Sequence, residues 1–306
     1  MMKRLVGIST GYLIRVFGEF GALDAAKRAG ADAVDLDLTG QDLRKKSSTY
    51  AQGEEAVREH YSKLGEYARS IGILISQTHG RMEGLRGDAR EDEVLLRNIR
   101  LDCIATAALS APVCVLHTTT TIFLGPDVDP EEMFRLNREL FSQVIPFAKS
   151  LGIRVATETF GDATGLGCVD FFGDIDHFLR GYREIKDDPN LADGFTICID
   201  PGHSNKAMRY GNPSPADVIR RVGPDIQVLH LNDNDGLTDQ HKMPMSGNIN
   251  WNDVLDALDE VGYQGVYNME IKLAFYGEEV AEQYAALAVA VMRNMLKKRY
   301  PQDFAE

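Results

Sequence analysis

Seven histidines occur in the chain, and five of them, His79, His117, His203, His230 and His241, fall at the ends of apolar runs or in the loops just after. Three acids sit comparably. Glu158 follows Val155-Ala156-Thr157, Asp200 follows Ile197-Cys198-Ile199, and Glu270 lies between Met269 and Ile271. A carboxylate in a buried apolar run is costly unless it is paired or metal-bound. Three such acids with a histidine, His230, at a matching place point to a divalent metal centre. Glu158, Asp200, His230 and Glu270 are mostly oxygen donors with one imidazole, a set that suits Mn²⁺ first, then Mg²⁺ or Co²⁺. If His79, His117, His203 and His241 join them, the site becomes nitrogen-rich and able to hold Zn²⁺. His60 and His177 lie in helical patterns and read as structural or surface residues.

These residues need a scaffold that brings them together. Eight short β-rich runs recur: Leu5–Ser9, Ala33–Leu38, Ile73–Thr78, Val113–His117, Arg154–Glu158, Thr196–Asp200, Gln227–Leu231 and Gly265–Ile271. Most are near-continuously apolar, as parallel strands buried on both faces should be. Helical periodicity lies between them. It is clearest over Glu131–Ser150, where Met133, Leu136, Leu140, Phe141, Val144, Ile145 and Ala148 repeat. Further patterns cover Gly21–Ala29, Glu54–Ile71, Asp92–Leu109, Phe171–Tyr182, Ser214–Val222, Trp251–Val261 and Glu278–Arg299. Gly30, Gly72 and Gly152 stop helices just before strands, the usual place for glycine past a helix end. Alternation of this kind predicts α/β architecture with a parallel sheet. The first turn, Gly7-Ile8-Ser9-Thr10-Gly11-Tyr12, lacks the G-x-G-x-x-G loop of an open doubly wound sheet. The expectation is therefore a (β/α)8 TIM barrel forming a single domain over 1–306. Active sites of such barrels lie at the C-terminal strand ends, where the donors above fall. The polar segment Thr39–Gly53 should border that face.

Composition narrows the partners. Lys plus Arg number 33 and Asp plus Glu 46, a formal net charge of −13. An acidic chain is a poor non-specific ligand for nucleic acid or anionic membrane. Arg44-Lys45-Lys46 is a short basic cluster that reads as a solvated loop. Arg81, Arg86, Lys206, Arg209 and Lys242 follow strand ends, where a phosphate could be met, though each reads first as an ordinary loop charge. Cys103, Cys114, Cys168 and Cys198 form no C-x-x-C pair and read as buried free thiols, consistent with a reducing compartment. The start, Met1-Met2-Lys3-Arg4, leads into no adequate signal-peptide core, and no run is long enough to span a membrane. The expected location is cytoplasmic, with homo-oligomerisation left open.

Several motifs now carry a resemblance. Glu158-Thr-Phe, Ile199-Asp200-Pro-Gly-His203, His230-Leu-Asn-Asp-Asn-Asp-Gly, Asp239-Gln-His241, Pro244, Gly247-Asn-Ile-Asn-Trp251 and Asn268-Met-Glu270 span much of the chain. Together the chain resembles the xylose isomerase-like barrel superfamily of sugar phosphate isomerases and epimerases, which also contains endonuclease IV. In its ketose 3-epimerases, the positions matching Glu158, Asp200, His230 and Glu270 bind one metal. The two Glu also move the proton, and the position matching His203 contacts substrate. Those epimerases carry an Arg shortly after the His230 position, whereas no Arg lies between His230 and His241 here. Asp239-x-His241 with His79, His117 and His203 matches the fuller ligand set of endonuclease IV.

The resemblance implies metal-assisted proton abstraction beside a carbonyl of a small sugar or sugar-like substrate, through an enediolate. One Glu removes the proton and the other returns it. Dehydration of the inosose dehydratase type uses the same parts. The rival is an endonuclease IV-like, zinc-dependent phosphodiesterase, against which the acidic charge stands.

Overall fold

A computed structural model describes residues 4–304; the Met1–Lys3 start and the last two residues of the expected 1–306 span lie outside them. Eight parallel strands form the centre: β1 (Val6–Ser9), β2 (Ala33–Asp37), β3 (Leu74–His79), β4 (Val113–Leu116), β5 (Arg154–Glu158), β6 (Phe195–Ile199), β7 (Ile226–Leu229) and β8 (Tyr267–Met269). Each pairs with its sequence neighbour, and β1 pairs with β8, Val6 opposite Tyr267. β7 and β8 meet through one parallel bridge, Leu231 to Met269, which brings the sheet round into a TIM barrel. Helices wrap its outside, as parallel strands buried on both faces require.

The strand interiors read as they pack. Val113, Val115, Ala156, Cys198 and Val228 form a small apolar cluster of their own, separate from the main core. The main core lies between sheet and helices, with Leu23, Leu64, Ile104, Phe141 and Trp251 buried against it.

Helical expectations hold with shifts at the ends. The long helices are Glu54–Ser70, Ala89–Ala108, Pro130–Ser150 and Ala281–Arg299. Asp88 and Asp129 cap the second and third by accepting first-turn N–H groups. The first helix begins at Gly11, ten residues before the periodicity suggested, and breaks at Gly18, whose φ of 69° only glycine adopts readily. Its glycines, Gly11, Gly18 and Gly21, hid the first half.

Several short elements escaped the pattern, among them a helical turn over Thr121–Leu124. A two-stranded hairpin pairs Asp162–Ala163 with Cys168–Val169. A short helix, Pro201–Ala207, follows β6 at once. Its signal was present: Asp200 accepts from His203 N, and Pro201 occupies the first helical position, where no N–H is needed. Cys103, Cys114 and Cys198 are buried, but Cys168, in the hairpin, is half-buried, because two-residue strands shield little. None of the four is disulfide-bonded.

No described helix is long and apolar enough to cross a membrane.

Candidate metal centre and active site

His79 and Glu158 close β3 and β5. His117, Asp200, His230 and Glu270 each stand one residue past a strand end. All six reach the same mouth, and His203 and His241 join from the following segments. The structure thus gathers every site residue named from the sequence, Asp239 included, into one chain of close approaches.

Its centre is Glu158, which is 1% exposed. Its Oε2 lies 3.0 Å from His230 Nδ1 and 3.1 Å from His117 Nε2, with His79 Nε2 at 3.6 Å. Oε1 lies 3.3 Å from His203 Nδ1. Glu270 approaches the same histidines from the other side, 3.6 Å from both His230 Nδ1 and His79 Nε2. The His79 and His230 rings stack at 5.0 Å.

Side-chain donors fall into three overlapping clusters: His79, Glu158 and His230; Glu158, Asp200 and His203; His203, Asp239 and His241. Glu158 is shared by the first two and His203 by the last two. The quartet expected from the sequence is therefore spread over the first two clusters, with Glu270 reaching in from the cavity side. Glu270 also departs from the expected full burial, with its side chain 21% exposed.

Hydrogen bonds to groups that can only accept fix which ring nitrogen is free. His79 donates through Nδ1 to the Gly80 carbonyl and presents Nε2 to the centre. His241 meets an acceptor at each nitrogen, donating through Nδ1 to the Glu270 carbonyl and through Nε2 to Asp239 at 3.0 Å, so neither is free while its ring is charged. His203 spends Nδ1–H on the Thr159 carbonyl, which leaves Nε2 for the Asp239 cluster. His230 donates through Nε2 to Asp35 and turns Nδ1 towards both glutamates. His241 holds a φ of 44°, a left-handed conformation unfavourable for a non-glycine residue and common at functional sites.

Burial and mutual charge set the ionisation. Burial works to raise the Glu158 carboxyl, but facing His230, His117 and His203 hold it well below the usual carboxylate range. Glu270 is likewise lowered against burial, chiefly by His230 and His241. Asp200 is pushed up to about 6 by burial, despite His203. Burial lowers His117. Against the same burial, Glu158 and Glu270 help raise His230 well above the ordinary imidazole value. His241 rises to about 9 against burial, mainly through Asp239.

The motif around His230 is polar yet buried because each side chain has a partner. Asn232 Nδ2 donates to Asp200 Oδ2 at 2.7 Å, Asp233 accepts from Trp251 Nε1 at 2.8 Å, and Asn234 donates to the Gly202 carbonyl. A Cβ on Gly202 would stand 1.9 Å from Asn232 Oδ1, so only glycine allows this approach.

Asp35 is the residue that reasoning from the sequence missed. It is fully buried in β2, between Val34 and Leu36, and carries the same signal that singled out Glu270 and Asp200. Lys206 was read as a loop charge. It is 3% exposed and bridges Asp162 at 2.7 Å and Asp239 at 2.9 Å. Arg81 is also buried, pairing with Asp102 and donating to the Leu38 and Gln41 carbonyls. It thereby pins the Thr39–Gly53 segment, which contains a 3-10 turn and lends Thr39 to the mouth. Outside the centre, His60 meets Glu19, and His177 stacks on Phe171.

Above the centre opens a cavity of about 300 Å³, lined by His79, Asp239, His241 and Glu270 on its inner side.

A parallel eight-stranded barrel with this donor cluster at its strand ends defines a class, and sequence comparison agrees: residues 23–294 match the model of the xylose isomerase-like TIM barrel family. The chain belongs to that family. It is 29% identical over 206 residues to an uncharacterised protein of Methanocaldococcus jannaschii, a match spanning 62% of this chain and 63% of that one. The chain therefore spans less than two thirds of that relative. Similar solved structures include a D-tagatose 3-epimerase-like protein (TM-score 0.73, 19% identity, 99% of this chain and 100% of that one). Others are a D-psicose 3-epimerase (0.68, 15%, 96% and 99%) and an IolI protein with a bound zinc atom (0.72, 16%, 97% and 99%).

Proposed function

We propose that the chain is a divalent-metal-dependent sugar or sugar-phosphate isomerase or epimerase, with Glu158 and Glu270 as the proton-moving pair. One observation carries the reading. His230 Nδ1 is buried, lacks a hydrogen-bond partner, and faces two carboxylates. Because Nε2 donates to Asp35, Nδ1 meets the two anions as the N–H of a charged ring while no cation is present, in keeping with the raised His230 pKa, and as a lone pair once that proton has left. The second arrangement is repulsive unless a positive charge lies between them. Glu158 Oε1 is also buried without a hydrogen-bond partner. Imidazole and carboxylate donors left open in this way fit Mn²⁺, Co²⁺, Mg²⁺ or Zn²⁺.

Such a cation, when bound, supplies Lewis acidity that favours the negative charge of an enediolate. The chain's own residues do the rest. Glu270 opens on the cavity and can take a proton from a carbon beside the carbonyl. Its lowered pKa keeps it ionised for that task. Glu158 lies one layer deeper, so returning the proton from the opposite side requires the reacting carbon at the cavity floor. Ser9, Tyr12 and Thr39 line the cavity and offer hydroxyls to a polyol. Proton transfer by positioned groups typically contributes about 10²–10⁴-fold. The epimerases among the similar folds act on small sugars by their names, which supports the substrate class. The test is exchange of a substrate carbon-bound proton with deuterated water across a panel of ketoses, alongside elemental analysis of the purified protein.

The His203, Asp239 and His241 cluster favours a second reading, in which further zinc ions assist phosphodiester hydrolysis. The net charge of −13 weighs against a nucleic acid substrate.

A further inference from the structure

The cations nearest the mouth have mostly found partners. Arg81 is tied to Asp102, Lys206 to Asp162 and Asp239, and Arg209 to Asp162. Arg86 and Lys242 lie over the Phe123 and Phe275 rings. Two others stand apart. Arg15 and Lys272 are exposed, both line the 300 Å³ cavity, and neither is ion-paired with a described residue. Arg15 lies over the Tyr12 ring, 4.7 Å from its centroid, which leaves the guanidinium edge free to donate. Lys272 is two residues past Glu270, and its backbone N–H is anchored on the His241 carbonyl at 2.7 Å.

The acids lining the same cavity are all engaged. Asp37 Oδ1 accepts from the N–H and hydroxyl of Thr39. Asp239 is held by Lys206 and His241, and Glu270 faces His79, His230 and His241. The lining therefore carries two cations, Arg15 and Lys272, and one carboxylate, Asp37, that are ion-paired with no described residue, in a chain of net charge −13. The rest of its lining is Gly11, Met82 and Ile271 with the hydroxyls of Ser9, Tyr12 and Thr39.

Building on the isomerase reading above, we propose that the substrate carries an oxyanion, a phosphate or a carboxylate, at the end remote from its reacting carbon, and that Arg15 and Lys272 receive it. A planar guanidinium pairs two oxygens at once, while the ammonium acts as a point charge. Held at both ends, the substrate has its reacting carbon positioned against Glu270. Neutral polyols then bind only through their hydroxyls.

The experiment measures binding by calorimetry, with no turnover required. The probes are sorbitol, sorbitol 6-phosphate and gluconate, presented to the intact protein with its metal. The expected result is that one of the anions binds at least tenfold more tightly than sorbitol, and which one it is names the oxyanion. That preference should weaken with rising salt. Arg15→Gln and Lys272→Gln should each cut the anion's affinity about tenfold, the scale of one charge-assisted contact. Lys297→Gln, an exposed charge on the last helix, should leave it as in the wild type. Equal binding of all three probes, or an anion preference that survives the Arg15→Gln/Lys272→Gln double variant, overturns the proposal. The outcome is separable from the parent reading. Anion preference without proton exchange on any substrate removes the isomerase and keeps the subsite; exchange on neutral ketoses without anion preference does the reverse.

Discussion

His230 donates through Nε2 to the carboxylate of Asp35 at 2.9 Å, across 195 residues of chain. The partner fixes both the tautomer and the tilt of the ring, and it is what aims Nδ1 at Glu158 and Glu270. Outer partners of this kind typically change metal affinity by about 10–100-fold when removed. We predict that Asp35→Asn weakens binding of Mn²⁺ or Zn²⁺ by that factor while the fold persists. A competition titration with a chelator dye reads the change, and an unchanged affinity would remove Asp35 from the centre.

Glu270 and Glu158 should separate metal binding from chemistry. Glu158→Gln and Glu270→Gln are expected to keep part of the metal and lose proton exchange by about 10²–10⁴-fold. Asp200→Asn and His230→Ala should lose metal first. The deciding protein is Glu270→Gln: metal retained with near-normal exchange on the true substrate ends the two-glutamate mechanism.

Nucleic acid offers a direct contrast between readings. With a net charge of −13, and with Arg44 of the basic cluster in the second loop already paired to Asp42 and Glu91, an abasic-site duplex should remain intact at physiological salt. Metal-dependent nicking that vanishes in Glu158→Ala would instead promote the phosphodiesterase.

Arg81 gives a stability prediction independent of catalysis. It is 6% exposed and meets Asp102 at 3.0 Å, while Tyr50 donates to the other carboxylate oxygen at 2.7 Å. Removing one member leaves a buried charge unmatched. Arg81→Leu should cost about 3–5 kcal/mol. Denaturant midpoints measure this, and the double variant Arg81→Leu/Asp102→Leu should recover much of the loss.

A pH dependence follows from His60. The hydrogen bond to Glu19 raises its pKa above the ordinary 6.5, with burial opposing. A histidine whose folded pKa is raised contributes stability fully below the unfolded value and loses it as pH climbs through the folded one. His60→Gln should therefore destabilise more at pH 5.5 than at pH 9. The imidazole is about a third exposed, which keeps the effect to about 1 kcal/mol or less. Thermal midpoints at the two values check the sign.

Much of this was legible in the chain because strands buried on both faces tolerate charge only with a reason. That argument located Glu158 and Asp200, which are buried, and Glu270, which meets the cavity instead. It would have located Asp35 had it been applied to the interior of β2 as well as to strand ends. The first half of the first helix was hidden by three glycines, whose low helix propensity is overridden by a tertiary site that wants close approach: a Cβ on Gly11 would stand 2.1 Å from Asp37 Oδ2. Arg15 was hidden with it. The pairing of Lys206 with two acids from distant segments has no local signature at all, since neither Asp162 nor Asp239 is near it in sequence.

The barrel has a seam. Where β7 meets β8 the ladder shrinks to Leu231 N–H on the Asn268 carbonyl and Glu270 N–H on the Leu231 carbonyl, at 2.8 and 3.1 Å. His230 and Glu270 stand on opposite sides of it. A cation shared between them would act as a clasp, joining the two ends of the sheet where backbone pairing is thinnest. Loading the site would then slow amide exchange at Leu231 and Glu270 more than at the well-paired β4–β5 junction, and emptying it would let the cylinder loosen there first.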